Sequence, residues 1–428
     1  MSMLLRGYKY RLRPTTRQKR MLQRWMGSCR FVYNCGLIHR STNYQQWQKS
    51  VSYFDQQNAL PEAKSDPELS WLKEVPSQSL QMALRNLDTA FKNFFKGTGK
   101  YPQAKKKGVH DSISFPQGSV LKIQKKTKKV SKMNLPKLGE VEFVYHRKFA
   151  GKVKSATVSF SQGDGWQMSV LVEESPLQHE NTSSETVGID LGVAKTIATS
   201  GDNEDYCLPT DQIKRIEDRI ATLQKRKAKV EKFSDRWKHL GRMVSKLHSR
   251  IARIRKDFLH KTSCQLSKNH GAIVMEDLRV KNMSKSASGT KDEPGRNVAQ
   301  KSGLNRAILR QGWGNFRIMM EYKAQWYGSH LILVSPKNTS RRCCQCGYTH
   351  EDNRQTQAEF LCLKCGHNEN ADKNAANNIR RLGLESLGRQ SLVLLRYVES
   401  HYCTFSRQLR GRVHNENSRN RICSTEAA

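Results

Sequence analysis

The sequence predicts a multidomain α+β protein: an α/β core, a small β-barrel and a helical domain ahead of it, and a cysteine-braced ribbon inserted before the last helix. Three observations carry this expectation. First, the apolar runs Val187-Gly188-Ile189 and Ile273-Val274-Met275 each end in an acid, Asp190 and Glu276, and Asp372 opens a segment with helical apolar spacing at Ala376, Ile379 and Leu382. Second, residues 112–174 alternate with the period of strands, as in Val141-Phe143-Tyr145 and Ala156-Val158-Phe160. Third, Cys343-x-x-Cys346 and Cys362-x-x-Cys365 stand fifteen residues apart.

A chain of 428 residues exceeds one ordinary core, so two to four domains are expected. Lys and Arg number 75 against 38 Asp and Glu, a formal charge of +37. The basic residues run through nearly every segment, a field that attracts polyanions and points to nucleic acid. No apolar run approaches the ~20 residues that span a bilayer, and the first residues alternate like a strand instead of forming a signal-peptide core. A cytoplasmic, nucleoid-associated location is expected. Seven cysteines outside the paired motifs are scattered, which does not suggest a disulfide framework.

Taken in order, residues 3–12 read as one strand with Leu5, Tyr8 and Tyr10 between basic neighbours. Pro14 and Thr15 end it and open a helix that carries Leu22, Trp25, Met26 and Cys29 on one side. A second helix is signalled at 77–95 by Leu80, Leu84, Leu87, Phe91 and Phe94. The lysine runs at 105–107 and 125–129 read either as solvated loops or as phosphate contacts. Gly163-Asp164-Gly165 reads as a hairpin turn, and 176–185 as a polar linker.

Strands are expected near 187–191, 195–200 and 205–208. Two helical stripes follow, Ile213, Ile216, Ile220 and Leu223, then Leu240 through Phe258, with a turn near Phe233-Ser234. Their other faces hold Lys225, Arg226, Lys227, Lys229, Arg250, Arg253, Arg255 and Lys256, a candidate nucleic-acid channel. Residues 280–303 lack periodicity and read either as a mobile loop beside the Glu276 strand or as a plain disordered insertion. A helix over 313–328 and a strand at 330–334 complete the core.

Acids at strand ends reach the cleft of an α/β sheet. Clustered carboxylates need compensation, and a hard cation with oxygen ligands such as Mg²⁺ is the usual one. Two such ions roughly 4 Å apart can activate a water and stabilise the leaving oxygen of a phosphodiester. Cys343, Cys346, Cys362 and Cys365 have the spacing of a zinc ribbon, and a closed four-sulfur shell leaves no position for catalysis. The zinc is therefore expected to brace the segment delivering Asp372. Cys344, lying between two ligands of one knuckle, is not expected to take part.

The order of these motifs resembles the RuvC-like nuclease of TnpB, the transposon-encoded RNA-guided endonuclease related to type V CRISPR effectors. Arg30-Phe31-Val32-Tyr33-Asn34 and the 81–95 segment are also similar to that family. The resemblance spans roughly residues 3–384. It implies a wedge β-barrel from 1–12 and 111–183, a helical recognition domain at 13–110, a RuvC-like nuclease at 184–335 and 367–384, a zinc ribbon at 336–366, and a basic tail at 385–428. It further implies catalytic Asp190, Glu276 and Asp372 on two Mg²⁺, one structural Zn²⁺, and Gln81, Ser77 and Tyr53 near a short DNA motif. The partners it implies are a guide RNA encoded by the transposon end and double-stranded target DNA, in a monomeric prokaryotic ribonucleoprotein. A nuclease-silent RNA-guided repressor, a compact CRISPR effector and a transposase are the alternatives.

Overall fold

The computed structural model describes residues 3–109, 111–175, 181–201, 204–290 and 293–388. Most of the expected tail, 389–428, lies outside the described residues. The chain divides into two units, 1–176 with 213–252, and 177–212 with 253–428.

In the first unit, β1 (Leu4–Arg13) leads into α1 (Thr16–Trp47), α2 (Tyr53–Asn58), α3 (Leu60–Ser65) and α4 (Ser77–Phe95). Six strands follow: β2 (Ser112–Phe115), β3 (Ile123–Lys125), β4 (Val130–Leu135), β5 (Gly139–Val144), β6 (Lys152–Ser161) and β7 (Gly165–Glu174). Pro14 stops the first strand, and a capping box between Thr15 and Gln18 starts α1 by satisfying two backbone N–H groups.

β1 is shared between two halves of one antiparallel sheet. It pairs with β7 from Leu4 opposite Glu174 to Arg11 opposite Gln167, then passes to β5 at Leu12 opposite Phe143. The strand order β2-β6-β7-β1-β5-β4-β3 leaves β2 and β3 as edges, so among the described residues the ladder does not close into the expected barrel. Every second residue of β7 is buried, as its alternation predicts. The sheet and helices share one core in which Leu22, Trp25, Leu80, Leu87, Phe115 and Phe143 are almost wholly buried. Phe94, expected in the α4 stripe, instead lies exposed with its ring edge-on to Tyr101.

The stripe of α5 (Thr210–Ala228) is buried as expected. That of α6 (Asp235–Asn269) is only half-buried until Leu259.

The second unit holds a four-stranded sheet in the order β11-β10-β8-β9. Its strands are β8 (Thr186–Asp190), β9 (Ala198–Thr199), β10 (Ala272–Glu276) and β11 (His330–Val334). β10 runs parallel to both neighbours and all five of its residues are buried, which explains its unbroken apolar run. The strand expected at 205–208 is reduced to one bridge, Tyr206 to Ile197. The 280–303 segment is more ordered than its composition suggests. It contains α7 (Val280–Met283), a Gly289–Pro294 bridge and the start of α8 (Val298–Gln311).

α9 (Trp313–Tyr327) precedes β11, and a small two-stranded ladder, β12 (Glu359–Leu361) with β13 (Asn368–Asn370), precedes α10 over 371–388. α10 lies against the sheet at two glycines. A Cβ on Gly188 of β8 would stand 2.1 Å from the Ala376 carbonyl oxygen, and one on Gly383 would meet Val274 of β10 at 2.3 Å. No helix among the described residues is long and apolar enough to cross a membrane.

Candidate metal and acid centres

The parallel pairing of β8 with β10 aligns Met275 with Ile189, so the next residues, Glu276 and Asp190, leave the sheet side by side. Asp372 arrives from α10. Its helix begins where the Asn370 side chain accepts hydrogen bonds from the Asp372 and Lys373 backbone N–H groups at 3.2 and 3.4 Å, an N-cap that fixes the first turn. All three acids line one cavity of about 250 Å³ together with Thr339, Arg354 and Gln357.

The electrostatics of this cavity follow from crowding. Burial, then the charges of Glu276 and Asp372, push the Asp190 carboxyl up to about 7, while Arg354 opposes the shift. Burial also raises Glu276, against a hydrogen bond that its Oε1 accepts from the Thr339 hydroxyl at 2.6 Å. Arg354 Nη2 lies 3.5 Å from Asp372 Oδ1 and donates to the Gln357 carbonyl at 2.8 Å. An all-oxygen donor set in which Asp190 and Glu276 resist ionisation when bare fits a hard divalent cation, which would supply the missing positive charge.

The cysteine quartet is built from two matching turns. Gly347 N–H donates to the Cys343 carbonyl and Gly366 N–H to that of Cys362, at 3.0 and 2.9 Å, with both glycines at φ near +75° and +72°. The four Sγ atoms lie within 4.8 Å of one another, with Cys343 to Cys365 at 3.6 Å and Cys346 to Cys362 at 3.5 Å. Tetrahedral Zn²⁺ with bonds of about 2.3 Å requires sulfur separations of about 3.8 Å, so the quartet fits that ion. Burial raises the Cys362 thiol, but the N–H groups of Cys365 and Lys364 together with the neighbouring Cys346 and Cys365 thiols bring it down to about 6.

The ribbon is tied to α10 by two asparagines and stiffened within itself by a third. Asn374 and Asn378 both donate to the Arg342 carbonyl, at 2.8 and 2.6 Å, and Asn374 Oδ1 accepts from the Cys344 backbone N–H. Asn353, fully buried, donates to the Arg341 carbonyl at 3.0 Å and holds the loop that presents Arg354.

Ser77, Gln81 and Tyr53 lie in the first unit, away from any of these groups in sequence. Ser77 and Gln81 sit one turn apart on α4, and the Ser77 hydroxyl accepts from Lys64 Nζ at 2.7 Å. Arg85, a further turn along, lies over the Tyr53 ring at 5.9 Å. Two cations of the candidate channel are held within the protein: Lys227 stacks on Trp237 at 3.7 Å, and Arg255 donates to the Leu309 and Arg310 carbonyls.

Thr339 and Arg354 were not singled out in the sequence, and Asn370 stood out only as the first residue of the stretch that carries Asp372, with no capping role. Each comes from irregular backbone or a strand end, where no periodicity marks it.

Residues 167–287 match a family model described as "Probable transposase", of the IS605 OrfB group, and residues 313–379 match the "Cas12f1-like, TNB domain". Residues 1–49 match the "Helix-turn-helix domain" of the same OrfB group. A curated Escherichia coli K12 protein named "Putative RNA-guided DNA endonuclease InsQ" is 41% identical over 379 residues, covering 89% of this chain and 92% of its own length. The chain belongs to the TnpB/IS605 OrfB family.

A second TnpB-family relative, a Streptomyces pristinaespiralis protein named "Putative RNA-guided DNA endonuclease", is 33% identical and spans 90% of each chain. "TnpB-like protein L770" of Acanthamoeba polyphaga mimivirus is 21% identical over 410 residues. In this TnpB-family chain, the stretch matched as a helix-turn-helix is one strand and one uninterrupted 32-residue helix.

Proposed function

We propose that this TnpB-family chain is an RNA-guided DNA endonuclease whose Asp190, Glu276 and Asp372 hold two Mg²⁺ ions in a RuvC-like centre. The single observation that carries this reading is the convergence of three acids from separate elements on one cavity. When bound, the paired ions would supply a nucleophilic water and neutralise the leaving oxygen. Thr339 keeps Glu276 turned into the cavity, and the N-cap at Asn370 fixes where Asp372 enters it. Arg354 offers a guanidinium to a phosphate oxygen there.

Cys343, Cys346, Cys362 and Cys365 hold one structural Zn²⁺ in this reading. Ser77, Gln81 and Arg85 share a face of α4, with Tyr53 beneath Arg85, and would meet a short DNA motif beside the target. The guide RNA, encoded by the transposon end, would carry most of the sequence specificity. The functional unit would be a monomeric ribonucleoprotein in a prokaryotic cytoplasm.

The test is copurification of bound RNA followed by cleavage of a plasmid library with Mg²⁺. One RNA class and cuts abolished by Asp190→Ala are expected. Cutting that survives Asp190→Ala would sink the site assignment. A nuclease-silent repressor is disfavoured because it would be expected to lack one of the three acids. A match to "CRISPR-associated endodeoxyribonuclease Cas12f1" of Sulfoacidibacillus thermotolerans is limited to 84 residues, 19% of this chain, which favours the transposon-type reading over a compact CRISPR effector.

A further inference from the structure

A second cluster of ligating groups lies beside the cysteine quartet and shares none of its residues. Cys344 Sγ, His367 Nε2 and Glu369 Oε2 form a triangle with sides of 3.4 Å (sulfur to nitrogen), 3.6 Å (sulfur to oxygen) and 3.2 Å (nitrogen to oxygen). Tetrahedral Zn²⁺ with bonds of about 2.3 Å to sulfur and about 2.05 Å to nitrogen and oxygen requires sides of about 3.6, 3.6 and 3.3 Å. The mixed sulfur, nitrogen and oxygen set suits the same borderline ion.

The backbone explains how the three meet. Cys344 projects from the first knuckle, where its N–H is held by Asn374. His367, just ahead of β13, and Glu369 within it are two residues apart, the spacing that puts side chains on one side of an extended chain. All three side chains are half-buried, and the free carboxylate oxygen of Glu369 accepts from Asn377 Nδ2 at 3.4 Å, which orients it as an outer partner orients a metal ligand. The triangle leaves the fourth tetrahedral position open.

We infer that Cys344, His367 and Glu369 form a second Zn²⁺ site, distinct from the cysteine quartet and open to one exogenous ligand. Cys344, which spacing alone marks as idle, becomes a ligand through a strand that spacing does not reveal.

The test uses the full chain carrying Asp190→Ala, so that zinc cannot be held by the complete acid cavity. The protein is saturated with Zn²⁺, desalted, and its zinc counted by elemental analysis. Two equivalents are expected, falling to one in both Cys344→Ser and His367→Gln. X-ray absorption at the zinc edge should show a mixed sulfur and nitrogen/oxygen shell in the parent and an all-sulfur shell in the variants. The retained all-sulfur zinc also reports that the ribbon still folds. One equivalent in the parent, or two that persist in both variants, overturns the inference.

Discussion

At the scale of single residues, Asp190 couples charge to stability. Its carboxyl is raised to about 7 from a value near 3.8 in the unfolded chain. Between those values the folded state binds more protons than the unfolded one, so stability falls as pH rises and the loss is complete above about 7. Asp190→Asn removes that penalty. In metal-free protein its melting temperature should match the parent near pH 4 and exceed it at pH 8, by at most about 4 kcal/mol in stability. Thermal scans across that range check it, and a gain already present at pH 4 would contradict it. Thr339→Val acts on the neighbouring acid. It deletes the hydrogen bond that counters the rise of Glu276. The Mg²⁺ concentration for half-maximal cleavage should rise about 10-fold or more, as loss of an outer ligand partner commonly does.

At the scale of elements, α10 is where sequence and structure can be compared most closely. Its apolar stripe was legible because Ala376 and Ile379 keep helical spacing, and both are buried. The acids ending β8 and β10 were legible because an apolar strand that stops at a carboxylate is a local pattern. The glycines that admit the helix were not. Gly188 sits inside a strand-like run and Gly383 inside a helical one, and only the crossing of the two elements gives either a reason. Gly188→Ala should cost about 3 kcal/mol, since the Ala376 backbone cannot step aside as a side-chain tip could. Chemical denaturation measures it, and a loss below about 0.5 kcal/mol would mean the helix sits farther off than described. The α8 start at Val298 was missed because Lys, Ser, Gly and Asn dominate the preceding segment and bury little of it. Arg354 was missed because it reaches Asp372 from an irregular loop that follows the buried Asn353 and carries no periodicity.

At the scale of the whole molecule, the charge of +37 sets the physics of any partnership. RNA affinity should fall about 10³-fold or more between 50 and 200 mM salt if six or more phosphates are contacted. Filter binding at several salt concentrations measures the slope, and an affinity indifferent to salt would rule out a backbone-dominated interface. The open edge strands β2 and β3 were not legible, because alternation reports which face of a strand is buried and says nothing of whether the last strand meets the first. The cysteine ribbon has a wider reach than its size implies. Asn374 and Asn378 fasten the helix that carries Asp372 to the backbone just ahead of the cysteines, and Thr339 reaches Glu276 from the same stretch. Chelating zinc should therefore act as a fuse: two of the three acids lose their footing in one event, and cutting stops outright instead of slowing by degrees.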